Sequence, residues 1–232
     1  MLIRDLQPQA VWEQFDAITR IPRPSKKEER IIEFLINFAQ VNSLEWQRDD
    51  IGNVVIRKAA TAGYEMRPTV ILQSHMDMVC EKNADVQFDF ASEPIRTYIE
   101  GDWVKAQGTT LGADCGIGIA AQLALLDGDV KCGKIECLFT TAEETGLDGA
   151  KALEPGFFSG KVLLNLDSED EGIFTVSCAG GARGTIHFPV ERRVVYGPCV
   201  RLTVEGLQGG HSGVEIHKNR ANANKVMGEF MS

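Results

Sequence analysis

Residues 69–77 read Thr-Val-Ile-Leu-Gln-Ser-His-Met-Asp, and the fold is read outward from them. Val70 to Leu72 form a short apolar centre, which predicts a buried strand that delivers His75 and Asp77 at its end. In extended backbone the i and i+2 side chains share a face, so the imidazole and the carboxylate look into one space. A neutral imidazole is a common zinc ligand, and a nearby carboxylate fixes its tautomer and raises its basicity. A lone histidine after a strand is more often a hydrogen-bonded structural residue, so the pair gains weight only from what lies elsewhere in the chain.

Upstream, Val11, Phe15 and Ile18 recur at helical spacing, and Pro22 and Pro24 close that helix. Ser25 with Glu28 has the form of a capping box. It leads into a second helix whose Ile31, Leu35 and Phe38 line one face, widened by Ile32, Ile36 and Ala39. Between Leu44 and Ile56, Asp49, Asp50, Gly52 and Asn53 separate two apolar runs, as a turn joining two strands would.

Downstream, residues 78–108 are mixed and polar and predict little. Leu111 to Asp127 runs from a glycine-rich turn into a helix with almost no polar face, which must be covered on most sides. Lys134 to Thr140 (KIECLFT) reads as a strand, Leu147 to Leu153 as a short helix, and Val162 to Asp167 (VLLNLD) as another strand. Gly172 to Cys178 is expected to add a further strand after an acidic turn. Strands alternating with helices indicate an α/β domain with a largely parallel sheet flanked by helices. Beyond Gly180 the character changes, with strands expected at 184–190 and 200–205, then a glycine-rich stretch and a helix from Asn219. The boundary is placed near residue 183, giving domains 1–183 and 184–232.

Composition narrows the function. The 232 residues carry 33 acidic and 24 basic side chains, a formal net charge of -9, with no basic run. That argues against nucleic acid or an anionic membrane as a main partner. No leader pattern and no apolar run of membrane-spanning length is present. Cys80, Cys115, Cys132, Cys137, Cys178 and Cys199 follow no zinc or scaffold spacing, so free thiols and a cytoplasmic protein are expected.

In open α/β sheets, functional groups collect beyond the carboxyl ends of the strands. His75 and Asp77 follow the first parallel strand, Glu143 and Glu144 follow KIECLFT, Asp167 ends VLLNLD, and Asp114 sits where the Gly112 turn enters the buried helix. One imidazole with several carboxylates suits one or two divalent ions such as Zn, Mn or Co. Singly, each has a plainer role: Asp167 as a turn former, Asp114 as a helix cap, Glu143 and Glu144 as first-turn acids. Their matching placement favours the joint reading. Adjacent carboxylates cannot easily bind one ion alike, so a division between a ligand and a general base is natural, the machinery of metal-assisted hydrolysis. His187 reads as a surface or packing residue and His217 as lying near a helix start. His211, in the loop Gly209 to Gly213, fits a plain turn or a substrate-contacting loop. Cys80 and Cys115 lie near the site but have no identifiable base to make either a nucleophile.

SHMDMVCEKN at 74–83, GTTLGADCGIG at 108–118, TAEETGLDGA at 141–150, LLNLDSEDEG at 163–172 and GGHSGVEI at 209–216 together resemble the M20 metallopeptidases, in particular the aminoacyl-histidine dipeptidase branch. The resemblance implies a di-zinc catalytic domain followed by an α+β lid domain. It implies that His75 and Asp167 bind the first metal, Asp114 bridges both, and Glu144 binds the second. Asp77 would orient His75, Glu143 would be the general base, and His211 would bind substrate from the lid. Cys115 stands where the family commonly has Asn or Asp. The family's remaining ligand is a histidine near its C-terminus, and here none follows His217, so the chain is expected to correspond to the N-terminal half of such an enzyme.

The implied activity is hydrolysis of dipeptides, Xaa-His and the β-alanyl-histidine type included, with two divalent ions, zinc first and cobalt or manganese as alternatives. The resemblance also allows a homodimer through the lid domain of a full-length protein. Competing expectations are another M20 chemistry, removal of an acyl group or of a C-terminal residue, and a metal-binding module without turnover.

Overall fold

The computed structural model describes residues 2–168, 171–178, 180, 182, 184–210 and 215–232. The chain divides into two units, Met1–Ser177 and Cys178–Ser232. In the first, helices α1 (Gln9–Thr19) and α2 (Glu29–Val41) precede a hairpin of β1 (Glu45–Arg48) and β2 (Val54–Lys58). Then come β3 (Val70–His75), a second hairpin of β4 (Thr97–Glu100) and β5 (Trp103–Ala106), α3 (Ala113–Asp127), β6 (Ile135–Thr140), α4 (Asp148–Lys151) and β7 (Val162–Asn165).

The main sheet has the order β1-β2-β6-β3-β7. Strands β6, β3 and β7 run parallel, and the β1–β2 hairpin joins them antiparallel through β2 and β6. The register pairs His75 with Thr140 and Gln73 with Asn165, so the three parallel strands end along one edge. Under that edge Asn165 Nδ2 donates to Gln73 Oε1 at 2.5 Å, and Gln73 Nε2 donates to Thr140 Oγ1 at 3.1 Å. These amides tie the strand ends side by side just before the chain leaves the sheet.

One core joins α1, α2 and α3 to the sheet: Phe15, Ile18, Ile31 and Leu35 meet Ile56, Ile119, Leu123 and Phe139, all essentially without solvent contact. The apolar surround predicted for α3 is met by α1 and β3. Lys58 Nζ closes that helix by donating to the carbonyls of Leu125 and Leu126 at 3.0 and 2.9 Å.

Three expectations need correction. Ser25 and Glu28 form no capping box: α2 begins at Glu29 without a side-chain cap, and both side chains are engaged elsewhere. The β4–β5 hairpin lies in the polar stretch from which nothing was predicted, and its Ile99 and Val104 pack on the core. The strands expected at 172–178, 184–190 and 200–205 are absent among the described residues. Val176, Ile186, Phe188 and Val200 there are largely exposed, and a β-rich pattern without a partner strand or a face to bury does not make a strand.

The second unit contains a short 3₁₀ turn, Ile216–Lys218, and helix α5 (Ala223–Met231). Asn222 caps α5 by accepting the N–H groups of Asn224 and Lys225 at 2.9 and 3.2 Å. Arg220 pairs with Glu215 at 2.8 Å. His217 lies in the 3₁₀ turn rather than at the helix start, and His187 is exposed.

Candidate metal centre

The site lies where β3, β6 and β7 end. Strand β3 carries His75 into the edge, where Met76 N–H donates to Thr140 O at 2.8 Å and so keeps the first residues beyond β3 and β6 in step. His75 is buried. Its Nε2 is 2.8 Å from Asp114 Oδ1 and 3.7 Å from Asp167 Oδ1. Its Nδ1 faces the Asp77 carbonyl at 3.1 Å and Asp77 Oδ1 at 3.3 Å.

Asp77 is also buried, and its carboxylate holds the neighbouring turn. Oδ1 accepts the N–H of Glu143 at 3.0 Å, while Oδ2 accepts the N–H of Glu144 at 3.2 Å and the Ser25 hydroxyl at 2.7 Å. Ala142 at the head of that turn has a φ of 49°, which lets the chain reverse so that both glutamates leave it in succession.

Asp114 reaches the site through a break in regular geometry. Gly112 has a φ of 74°, and a Cβ there would lie 2.6 Å from Arg23 Nη2 and 2.8 Å from Met78 Sδ, so only glycine fits the turn. Asp114 and Cys115 depart from helical dihedrals, and the peptide bond between them is cis.

Two sets of donor atoms converge within 4.8 Å: His75, Asp114 and Glu144, and His75, Cys115 and Asp167. Nitrogen and carboxylate oxygen donors with one thiol nearby fit a borderline divalent cation such as zinc, manganese or cobalt. Gathering Asp114, Glu144 and Asp167 around one imidazole brings like charges together, which a cation in their midst would offset.

The titration of these groups follows from the crowding. Burial pulls the His75 imidazolium down, but hydrogen bonds to Asp114, Asp167 and Asp77 outweigh it and push it up to about 12. Asp77 is drawn down to about 2, since hydrogen bonds from His75, Ser25 and the Glu143 N–H overcome the opposing effect of burial. Asp114 is lowered, first by its hydrogen bond to His75. Glu143 and Glu144 are both raised, chiefly by burial and further by neighbouring carboxylates. Burial and Asp167 push the Cys115 thiol up to about 12, and Sγ points to Leu166 O at 3.8 Å. That is a protonated, inert thiol rather than a nucleophile.

The structure thus brings together His75, Asp77, Asp114, Glu144 and Asp167, with Glu143 on the same turn. His211 lies outside the described residues. Sequence reading missed Arg23, Ser25 and Glu28, which reach the site loops from 50 or more positions away. The one clue was an arginine set between two prolines in an otherwise apolar approach, Ile21-Pro22-Arg23-Pro24.

A parallel-edge cluster of one imidazole and several carboxylates is a donor set suited to a divalent cation. Residues 71–215 match the Peptidase family M20/M25/M40, and the chain belongs to that family. It is 46% identical to the cytosol non-specific dipeptidase of Escherichia coli over 233 residues, covering 99% of this chain and 48% of that protein. The crystal structure of aminoacylhistidine dipeptidase from Vibrio alginolyticus superposes with a TM-score of 0.74 at 40% identity, covering 99% of this chain and 47% of that one. Aminopeptidase PepT from Bacillus cereus is similar at 25% identity and a TM-score of 0.59, over 71% of this chain and 44% of that one. The chain spans about half the length of the curated relatives it matches. Among the described residues no helix is long and apolar enough to cross a membrane.

Proposed function

We propose that this chain carries the metal centre of a cytoplasmic metallodipeptidase that hydrolyses dipeptides, with Xaa-His and β-alanyl-histidine types as preferred substrates. The observation that carries the proposal is the convergence of one ligand atom each from His75, Asp114 and Glu144 within 4.8 Å of one another.

In this reading His75, Asp114, Glu144 and Asp167 would hold two divalent ions, zinc first. Such ions supply Lewis acidity toward a peptide carbonyl and lower the pKa of water. Asp77 fixes the imidazole by facing Nδ1, so that Nε2 is the nitrogen turned toward Asp114 and Asp167. Glu143 accepts the proton of the attacking water and delivers it to the leaving amine: its backbone is pinned by Asp77, and among the described residues no hydrogen bond engages its side chain. His211 binds the substrate. The relatives named as dipeptidases support the substrate class, and the names of two of them support peptides as small as two residues.

The test is histidine release from Gly-His by the protein, with and without chelator, beside release of acetate from an N-acetyl amino acid. Chelator-sensitive cleavage of Gly-His alone supports the proposal. Preference for the N-acetyl amino acid would assign a deacylating hydrolase of the family instead, and cleavage of Gly-His indifferent to chelator would overturn the metal reading.

A further inference from the structure

Among the described residues Arg23 is the largest side chain with essentially no solvent contact, and no carboxylate among them forms an ion pair with it. Its guanidinium spends its donors on backbone. Nη1 donates to the carbonyls of Met76 and Asp77, each at 2.9 Å, and Nη2 donates to the carbonyl of Gly112. The first two belong to the segment that carries His75 and Asp77, and the third to the turn that carries Asp114. Burying a guanidinium is costly, and burial lowers its pKa to about 10. A planar fork of fixed geometry can bridge carbonyls from two separate segments, which the ammonium of lysine, a single point of charge, cannot reproduce.

The same connector reaches the other site loops. Met78 N–H donates to Arg23 O at 3.2 Å. The Ser25 hydroxyl donates to Asp77 Oδ2 at 2.7 Å, and Glu28 Oε1 accepts the N–H of Ala142 at 2.9 Å. Ala142 begins the turn that presents Glu143 and Glu144. Residues 23–28 therefore touch the backbone behind His75, Asp114 and Glu144, although none of them offers a donor atom to the centre.

We propose that the connector between α1 and α2, through Arg23, Ser25 and Glu28, is the positioning element of the metal centre and sets the spacing of the His75, Asp114 and Glu144 donors before an ion binds. The proposal rests on the reading of those residues as ligands. Such supporting contacts commonly govern metal affinity by ten- to a hundred-fold.

Cobalt(II) titration of the 232-residue chain tests it, because the visible absorption of cobalt reports donor geometry as well as occupancy. Thermal melting in chelator runs alongside, so that folding is scored separately. Arg23→Lys should bind cobalt at least ~10-fold more weakly and with an altered absorption band, while the metal-free protein still melts cooperatively. Ser25→Ala, at a half-buried position and removing one hydroxyl, should still melt cooperatively in chelator and weaken binding ~10-fold. Leu35→Ala, in the core away from the site, should lower the melting temperature and leave cobalt affinity and spectrum unchanged. If Arg23→Lys does not fold, Ser25→Ala decides. Wild-type affinity and spectrum in Ser25→Ala and in any folded Arg23→Lys, or an affinity loss in Leu35→Ala equal to theirs, overturn the proposal alone. Failure of the wild-type chain to bind cobalt overturns the metal-centre reading, and the proposal with it.

Discussion

Asp77 Oδ1 accepts the backbone N–H of Glu143 at 3.0 Å, across 66 residues of sequence, while the same carboxylate faces the His75 imidazole. One buried side chain thereby couples the end of β3 to the turn after β6. Both oxygens meet donors: Oδ1 the Glu143 amide and His75 Nδ1, Oδ2 the Glu144 amide and the Ser25 hydroxyl.

Asp77→Asn would set an amide NH₂ against a donor in either orientation. It is expected to weaken zinc binding ~10- to 100-fold and to lower stability by ~1–3 kcal/mol. A competition titration with a chromophoric chelator and a urea melt measure the two effects. An unchanged zinc affinity would remove Asp77 from the centre.

Glu143 and Glu144 are neighbours with different expected roles. Glu143→Gln should retain zinc and lose ~10²- to 10⁴-fold in Gly-His hydrolysis, the usual yield of a positioned general base. Glu144→Gln should weaken zinc binding itself. Zinc titration and initial rates on the same preparations separate the two, and a Glu143→Gln protein as active as wild type would contradict the assignment.

Away from the site, Glu136 near the start of β6 is a buried carboxylate that accepts the N–H groups of Ser159 and Gly160 at 2.7 and 2.8 Å and the Ser159 hydroxyl at 2.8 Å. Burial alone would raise its pKa from 4.5, yet these bonds and Lys134 hold it down to about 2. A depressed folded pKa means stability that is complete above about 4.5 and is lost as pH falls toward 2, because the unfolded chain takes up the proton first. Glu136→Gln should therefore be less stable than wild type at pH 7 and show a shallower loss between those two values. Urea midpoints across that range test it, and parallel curves for the two proteins would contradict it.

Much of this was legible in residues 69–77, because a short apolar run followed by His-x-Asp specifies both a strand and what stands at its end. The strands at 135–140 and 162–165 were equally plain, since apolar runs bounded by turns need little context to be recognised. From their parallel pairing the convergence of His75, Glu144 and Asp167 follows, because strand ends in register leave their loops on one edge, whereas Asp114 joins them only through the irregular turn at the start of α3.

The supporting contacts were not legible. Ser25 and Glu28 have the spacing of a local cap, and only the fold shows that Asp77 and Ala142 compete successfully for them. Arg23 stands out only by its place between two prolines, and that does not point to three carbonyls more than 50 residues away. The segments after Gly172 failed for the opposite reason. Their alternating pattern is a preference for a half-buried pleated surface, and among the described residues no such surface is offered to them.

Imidazole and carboxylates form the proposed centre, and the Cys115 thiol lies close by, pushed up by burial and turned toward Leu166 O. X-ray absorption at the zinc edge of the zinc-loaded 232-residue chain tests this most directly. The account predicts only nitrogen and oxygen scatterers at ~2.0–2.2 Å, with an imidazole contribution that disappears in His75→Ala. A sulfur scatterer at ~2.3 Å, or an unchanged spectrum without His75, would contradict it.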